Sequence, residues 1–194
     1  MAQSSVQDKN PLPLVRDYSL AQSLIWEGKA FHVSNVTAQT IIVGQTSVAL
    51  TLATVYLGNR GSKKMVPLWA KFAQGGTVAG GRIFWNVKTA DTDQYTSGTA
   101  LTVNALNRHY RAGSQVTAAH TATIPTFTAG NALTLSSGSA FQSVTVANAG
   151  DPLDMFPFPG CCVVNPGGAL YLYSNADTTG PGWEFDIAWA ELEV

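Results

Sequence analysis

Residues 167–194, GGALYLYSNADTTGPGWEFDIAWAELEV, contain two alternating apolar runs separated by a cluster of Asn, Asp, Thr, Gly and Pro residues. Alternation with a period of two is typical of strands that bury one face, and the residues of the central cluster are those that form turns. The pattern predicts two β-strands joined by a long loop, which we interpret as an antiparallel hairpin. The loop is a candidate contact surface.

The second of these strands divides into two faces of different character. One face is apolar until its last positions and is formed by Trp183, Phe185, Ile187, Trp189, Glu191 and Glu193. The other is acidic and then small, and is formed by Glu184, Asp186, Ala188, Ala190, Leu192 and Val194. We therefore predict that the first face packs into a core, while the second meets water or a neighbouring subunit.

Similar short segments, rich in β-branched and aromatic residues and separated by turn signals, occupy the rest of the chain. They lie at 29–34, 40–58 (one bent strand or two short ones), 64–74, 81–89, 99–106, 114–118, 131–137, 141–149, 161–165 and 169–174. Such a series is typical of an all-β sandwich or barrel. Helix-like spacing occurs in SLAQSLIWEGKA at 19–30, where we predict one short helix or turn.

Residues 1–22 lack sustained periodicity and include NPLPL, whose prolines favour extended backbone without ladder donors. We predict an extended N-terminal arm over 1–22, followed by a single domain over 23–194. A chain of 194 residues is long enough for that domain to bury a sizeable core.

The composition is apolar and poor in charge, with 45% hydrophobic and 12% charged residues and a formal net charge of -1. A surface built from Thr, Ser, Asn and Gln suits a rigid β protein rather than a disordered chain. The charge balance does not favour bulk affinity for nucleic acid or for an anionic membrane. We find no apolar run long enough to span a bilayer and no apolar signal-peptide region, so neither membrane insertion nor export is predicted.

No catalytic or cofactor-binding motif is recognisable in the sequence. His32, His109 and His120 are widely separated, and the nucleophile-elbow, zinc-protease and phosphate-loop motifs are missing. GNRGSKK at 58–64 has the glycines and lysines of a phosphate loop at the wrong spacing, and we interpret it as a solvated hairpin turn. We predict a protein that is not an enzyme and needs no cofactor or metal.

Two pairs of acidic residues each have a functional and a structural interpretation. Asp91 and Asp93 offer oxygen ligands of the kind that calcium prefers, but the glycine-bearing loop of twelve residues is missing, so a solvated loop is favoured. Asp151 and Asp154 resemble the acid pair of a glycosidase, although the prolines around them indicate a structural turn.

Cys161 and Cys162 are adjacent, and a disulfide between them would close a strained small ring. Two neighbouring cysteines also lack the separated spacing of a zinc site. We predict two reduced thiols, one of them in the core.

The densest basic and aromatic cluster is NRHYRAGSQ at 107–115, with Arg108, His109, Tyr110 and Arg111 in succession. The guanidinium group of arginine forms bidentate hydrogen bonds with carboxylates, so the cluster predicts contact with an acidic neighbouring protein. The alternative is an amphipathic loop whose arginines cover a sheet edge. Binding to nucleic acid is not favoured, because a few isolated basic side chains would release few counterions from its phosphates.

A family resemblance is carried by VYLGNRGSKKMVPLWAKFAQGG at 55–76 and VVNPGGALYLYSNADTTGPGWEFDIAWAELEV at 163–194. These stretches resemble β-sandwich structural proteins of tailed-phage particles, especially small capsid-decorating (cement) proteins. In such proteins a short turn with Asn, Gly, Ser and Lys leads into an apolar strand. A Pro-Gly-Gly turn then precedes an aromatic strand, a Thr/Gly loop and a final strand. The central region from 90 to 150 carries no resemblance.

The resemblance implies an antiparallel β-sandwich, jelly-roll-like, that assembles in the host cytoplasm and resides in the virion. Its partners would be copies of itself, most simply a homotrimer, and the major capsid protein, and its role would be to stabilise contacts between capsomers. The predicted capsid or subunit contacts are Leu12, Leu14, Val15, Arg16 and Tyr18 in the arm, and Arg108, Tyr110 and Arg111 in the basic cluster.

The alternative function is a receptor- or carbohydrate-binding β-sandwich of a phage fibre or tail. In that case exposed Trp or Tyr side chains would stack on sugar rings. Against this, Trp183 and Trp189 share the apolar face of the last strand, and Trp69 and Trp85 lie inside predicted strands, so most of the tryptophans are predicted to be core residues.

Overall fold

The computed structural model describes residues 19–35, 41–47, 49–75, 82–107, 109, 113–124, 132–141, 153–155, 159–176 and 182–193. Within these residues the chain forms one helix and twelve strands. They are α1 (Leu20–Trp26), β1 (Ala30–Ser34), β2 (Ile42–Val43), β3 (Leu52–Asn59), β4 (Lys64–Gly75), β5 (Arg82–Ala90), β6 (Ser97–Ala100), β7 (Asn104–Ala105), β8 (Val116–Thr123), β9 (Ala132–Phe141), β10 (Leu153–Asp154), β11 (Ala169–Ala176) and β12 (Gly182–Leu192).

The prediction of an all-β protein with one short helix is confirmed. The segment predicted as one bent strand or two short ones forms two strands, β2 and β3. The strand predicted at 161–165 is wrong, because only Val164 pairs there, in an isolated bridge with Met65. Most of the candidate at 141–149 lies outside the described residues.

The strands form two six-stranded sheets whose strand pairs are all antiparallel. Sheet A has the order β10–β4–β12–β1–β7, and β2 also pairs with β12. Sheet B has the order β6–β8–β3–β11–β5–β9.

Eight of the strands pair in a nested series along the chain. The outermost pair is β1 with β12, followed inward by β3 with β11, β4 with β10, and β5 with β9. A jelly roll is a double sheet that combines two Greek keys, and the jelly-roll-like arrangement of these strands stays a prediction.

Two connections predicted as hairpins instead cross from one sheet to the other. β11 pairs with β3 and β5 in sheet B, whereas β12 pairs with β4, β1 and β2 in sheet A. The same holds for residues 60–63, which join β3 of sheet B to β4 of sheet A. Their turn is anchored by Asn59, whose buried side chain donates to the carbonyl oxygens of Lys63 and Val164.

The main core lies between the two sheets. The predicted apolar face of β12 supplies Trp183, Phe185, Ile187 and Trp189, each at most 1% exposed. Leu57, Val87 and Leu172 are among the residues that sheet B contributes to the same cluster. That part of the prediction is confirmed.

The second face of β12, predicted to meet water or a neighbouring subunit, is partly covered by the chain itself. Ala188 and Ala190 form a small buried cluster with Leu24 of α1 and with Leu68 of β4. The helix therefore packs across one end of the outer face of sheet A. Among the described residues, no helix has the length and apolar character needed to cross a membrane.

A β-bulge in β4 changes which side chains reach this outer face. Trp69 pairs with Ala188, but the next residue of β12, Trp189, pairs with Pro67, so that Leu68 is the extra residue. A bulge of this kind breaks the alternation of the strand and re-aims a side chain. As a result Trp69, predicted to be in the core, packs beside the cluster under α1 on the outer face.

Candidate functional site

All predicted contact residues lie outside the described part of the chain. This applies to Leu12, Leu14, Val15, Arg16 and Tyr18 in the arm and to Arg108, Tyr110 and Arg111 in the basic cluster. The residues that flank both segments are described, and their positions locate where each segment joins the sandwich.

Both segments join the sandwich at α1. The predicted arm leads into Ser19, the N-cap of the helix, so the described end of the arm is the cap and first turn of α1. The basic cluster starts at Asn107, whose side-chain amide donates to the carbonyl oxygens of Ile25 and Trp26 at 3.2 and 3.1 Å. Two segments far apart in sequence thus flank opposite ends of one helix.

Local sequence signals explain why α1 begins and ends where it does. Ser19 and Gln22 form a capping box, in which each side chain accepts from the other residue's backbone N–H. At the other end Gly28 has a φ of 71°, and its N–H donates to the carbonyl of Ile25, as in a Schellman motif. The helix has only seven residues, so its position depends on packing through Leu24.

The exposed side of α1 is unusually apolar. Leu20 is 51% exposed and Trp26 is 64% exposed. We call the combination of α1 with Asn107 and His109 the α1 surface. The side-chain oxygen of Asn107 accepts from the backbone N–H of the exposed His109 at 3.0 Å.

The far end of the basic cluster is held by a buried carboxylate. Glu191 is 4% exposed and accepts from the Ser114 hydroxyl, the Gln115 backbone N–H and the indole N–H of Trp189. Gln115 in turn accepts from the backbone N–H of Ser62 in the turn between β3 and β4. A buried carboxylate satisfied by several donors is a structural anchor, and here it fixes the start of β8 against the end of β12.

A second network holds the loop between β5 and β6, where Asp93 was considered as a calcium ligand. Its carboxylate accepts from the Tyr56 hydroxyl at 2.5 Å, the Arg60 Nε at 3.0 Å and the Tyr95 backbone N–H at 2.9 Å. Burial and the Asp93 carboxylate raise the pKa of Tyr56 well above its usual range. The hydrogen bond to Asp93 likewise raises the pKa of Arg60. Asp93 therefore acts as an acceptor for protein donors.

A third cluster lies on the outer face of sheet A and was not predicted. The Asp186 carboxylate accepts from the Trp69 indole N–H at 2.9 Å and lies 3.3 Å from Nδ1 of His32. We call Trp69, Asp186 and His32 the outer-face cluster. The side chains of His32 and Asp186 are 29% and 43% exposed, so the cluster is open to solvent.

The remaining candidates are placed as follows. Cys161 and Cys162 form no disulfide, and both are partly buried against the main core rather than one inside it. The neighbouring Cys161 thiol and burial raise the pKa of Cys162 far above its usual range. Asp154 is exposed on β10, and its suggested partner Asp151 lies outside the described residues. In the described ranges no group of three or more His, Cys, Asp or Glu side chains is arranged to hold a metal ion.

One sequence signal could have located the outer-face cluster. Pro67 lies within β4, which runs between β10 and β12 and is therefore an interior strand of sheet A. Proline inside a sheet is found mainly at edges and bulges, because it cannot donate to the ladder. The Pro-Leu-Trp run thus indicates a bulge, and a position inside a bulged strand does not by itself place Trp69 in the core.

Comparison with known proteins gives no match: no family model, no curated protein and no solved structure is similar to this chain.

Proposed function

We propose that the chain is a non-enzymatic structural component of a phage particle, most specifically a capsid decoration protein that stabilises contacts between capsomers. A homotrimeric state, the major capsid protein as partner and a place in the virion belong to the same proposal. The observation that supports it is the α1 surface. Two segments chosen from the sequence as contact segments join the sandwich at opposite ends of one exposed helix.

The exposure of Trp26 and Leu20 gives an energetic reason for a contact through α1. Large apolar side chains that face water at the surface of a β-sandwich stabilise the free protein little. Tryptophan is among the residues that contribute most when an interface buries them. A contact through α1 would bury Trp26, while the flanking arm and basic cluster would add anchors on either side.

The two buried or half-buried carboxylate networks are compatible with this role. Asp93 and Glu191 are each hydrogen-bonded to several donors of the chain itself. Such networks fix loops in place, which suits a protein whose function depends on a rigid shape.

The test compares the full chain with a deletion of residues 2–18 and with Trp26→Ala. We expect sedimentation of the full chain to give a trimer at micromolar concentration, and co-sedimentation with capsids that lack the protein to show binding. The deletion and Trp26→Ala should each weaken association at least tenfold. The matched control is Leu133→Ala, which removes a 65% exposed side chain from β9 of sheet B. Equal association of all four proteins would contradict the proposal.

The carbohydrate-binding alternative is supported by a different observation. Trp69 lies on the outer face of sheet A and not in the core. The candidate sugar-binding site is therefore the outer-face cluster.

A further inference from the structure

The outer-face cluster is positioned by the β-bulge of β4, in which Leu68 is the extra residue. If β4 alternated regularly after Pro67, which pairs with the core residue Trp189, Trp69 would point between the sheets. The bulge instead brings the large apolar ring to a face shared with His32 and Asp186. Bulges are frequent next to binding sites, where they re-aim a side chain.

We propose that the outer-face cluster binds a neutral saccharide, with the indole of Trp69 stacked on a sugar ring and with Asp186 and His32 hydrogen-bonded to its hydroxyl groups. The proposal does not rest on the particle role. Ligand sites commonly combine an aromatic surface with a few polar groups that fix orientation, and a pyranose ring needs both.

The indole is held in one orientation before any ligand arrives. Its N–H donates to Asp186 Oδ2 at 2.9 Å, and its ring packs against the small cluster under α1. Fixing the ring in advance removes the entropy cost of ordering it on binding. A stacking platform requires this rigidity.

Asp186 and His32 retain capacity for a ligand. Their side chains are partly exposed, and an ionised carboxylate has about four acceptor positions. Asp186 uses two of these positions within the described residues, toward Trp69 and His32. Acceptors beside an imidazole offer the mixed donor and acceptor set that sugar hydroxyls need.

The charge of the surrounding face selects a neutral ligand over an anionic one. Lys71 pairs in register with Asp186 on one side and with Asp154 on the other, and Glu184 lies on the same face of β12. Three acidic residues and one lysine therefore occupy neighbouring register positions around the cluster. Phosphates, sulfates and acidic sugars would be repelled by this excess of negative charge.

The experiment follows the indole N–H resonance of Trp69 by two-dimensional NMR on the full chain. The probes are maltohexaose, cellohexaose, chitohexaose and mannohexaose, each added to about 10 mM, with sialyllactose as an anionic probe; affinities at this level correspond to millimolar Kd values. We expect at least one neutral probe to shift this resonance saturably, and sialyllactose to bind at least tenfold more weakly than that probe.

Variants separate binding from folding. His32→Ala and Asp186→Asn should each weaken the affinity at least tenfold, and Trp69→Ala should abolish it. Leu133→Ala, which removes an exposed apolar side chain from sheet B, should leave it unchanged. If Trp69→Ala fails to fold, the His32 and Asp186 variants decide the question. The proposal is overturned if none of the neutral probes shifts Trp69, if the two polar variants bind as the parent does, or if sialyllactose binds more tightly.

Discussion

At the scale of single residues, Asp93 shows how one carboxylate organises a loop. Tyr56 and Tyr95 stack with ring centroids 4.3 Å apart, and the Arg60 guanidinium lies 5.6 Å from the Tyr95 ring centroid. Gly58 lies beside this stack, and a Cβ there would fall 1.7 Å from the Tyr56 hydroxyl. Only glycine leaves room for the hydroxyl that donates to Asp93.

We therefore expect Asp93→Ala to lower the free energy of unfolding by about 2 kcal/mol, because it leaves a buried tyrosine hydroxyl and a backbone N–H without their acceptor. Urea denaturation measures the change. Asp91→Ala is the matched control, since Asp91 is exposed in the same loop and should change stability by less than about 0.5 kcal/mol. Similar losses for the two variants would show that the network contributes little.

At the scale of elements, some turns and the ends of the helix follow from local sequence. The turn NPGG is an example: Gly167 has a φ of 82°, and the N–H of Gly168 donates to the carbonyl of Asn165. Proline followed by glycine favours this type II geometry, so the turn could be predicted from four residues. The same is true of α1, whose cap residues Ser19 and Gln22 are visible in the sequence.

Strand partners do not follow from local sequence. The loop after β11 reads as a hairpin connection because turn residues separate two alternating runs, yet those runs enter different sheets. Its length allows either outcome, and the choice depends on contacts such as the packing of Trp183 against Phe72, 5.8 Å apart between ring centroids. The α1 surface was missed for a similar reason, since Asn107 and Trp26 come together only in the folded chain.

The anchoring of α1 by Asn107 leads to a prediction at this scale. Asn107→Ala should remove the side-chain donor to the Ile25 and Trp26 carbonyl groups and raise the hydrogen-exchange rate of α1 amides several-fold, at a global cost of about 1 kcal/mol. Exchange measured by mass spectrometry on the peptide that contains α1 tests this. Asn104→Ala is the control, because Asn104 is exposed and makes only a 3.5 Å bond to the Thr102 carbonyl. Unchanged exchange in the Asn107 variant would contradict the anchoring role.

At the scale of the whole molecule, the two sheets differ in how their outer faces are covered. Sheet A carries α1 at one end and the open outer-face cluster beyond it. Sheet B instead carries a second apolar layer that includes Tyr56, Tyr171 and Tyr173, each at most 2% exposed. Sequence alternation predicts the residues of the main core, but it does not predict that the opposite face of sheet B is also buried. That burial depends on loops brought in from distant parts of the chain.

The tyrosine layer makes stability depend on alkaline pH. Burial raises the pKa of Tyr56, Tyr171 and Tyr173 in the folded protein above the ordinary value of 10.0. Well below pH 10 all three are protonated in both the folded and the unfolded chain, and stability does not depend on their titration. Above that pH the unfolded chain loses these protons while the folded chain keeps them, so the free energy of unfolding falls as pH rises.

We expect chemical denaturation between pH 8 and 11.5 to show a plateau followed by a loss of stability that begins near pH 10, with a slope proportional to the number of retained protons. Tyr173→Phe removes one of them, together with a hydroxyl that donates to the Leu50 carbonyl. The variant should therefore be less stable at pH 8 but lose stability with a smaller slope above pH 10. Absorbance at 295 nm, followed in parallel, should show a fraction of the six tyrosines ionising only with unfolding. Ionisation of all six near pH 10 in the folded protein would contradict a buried tyrosine layer.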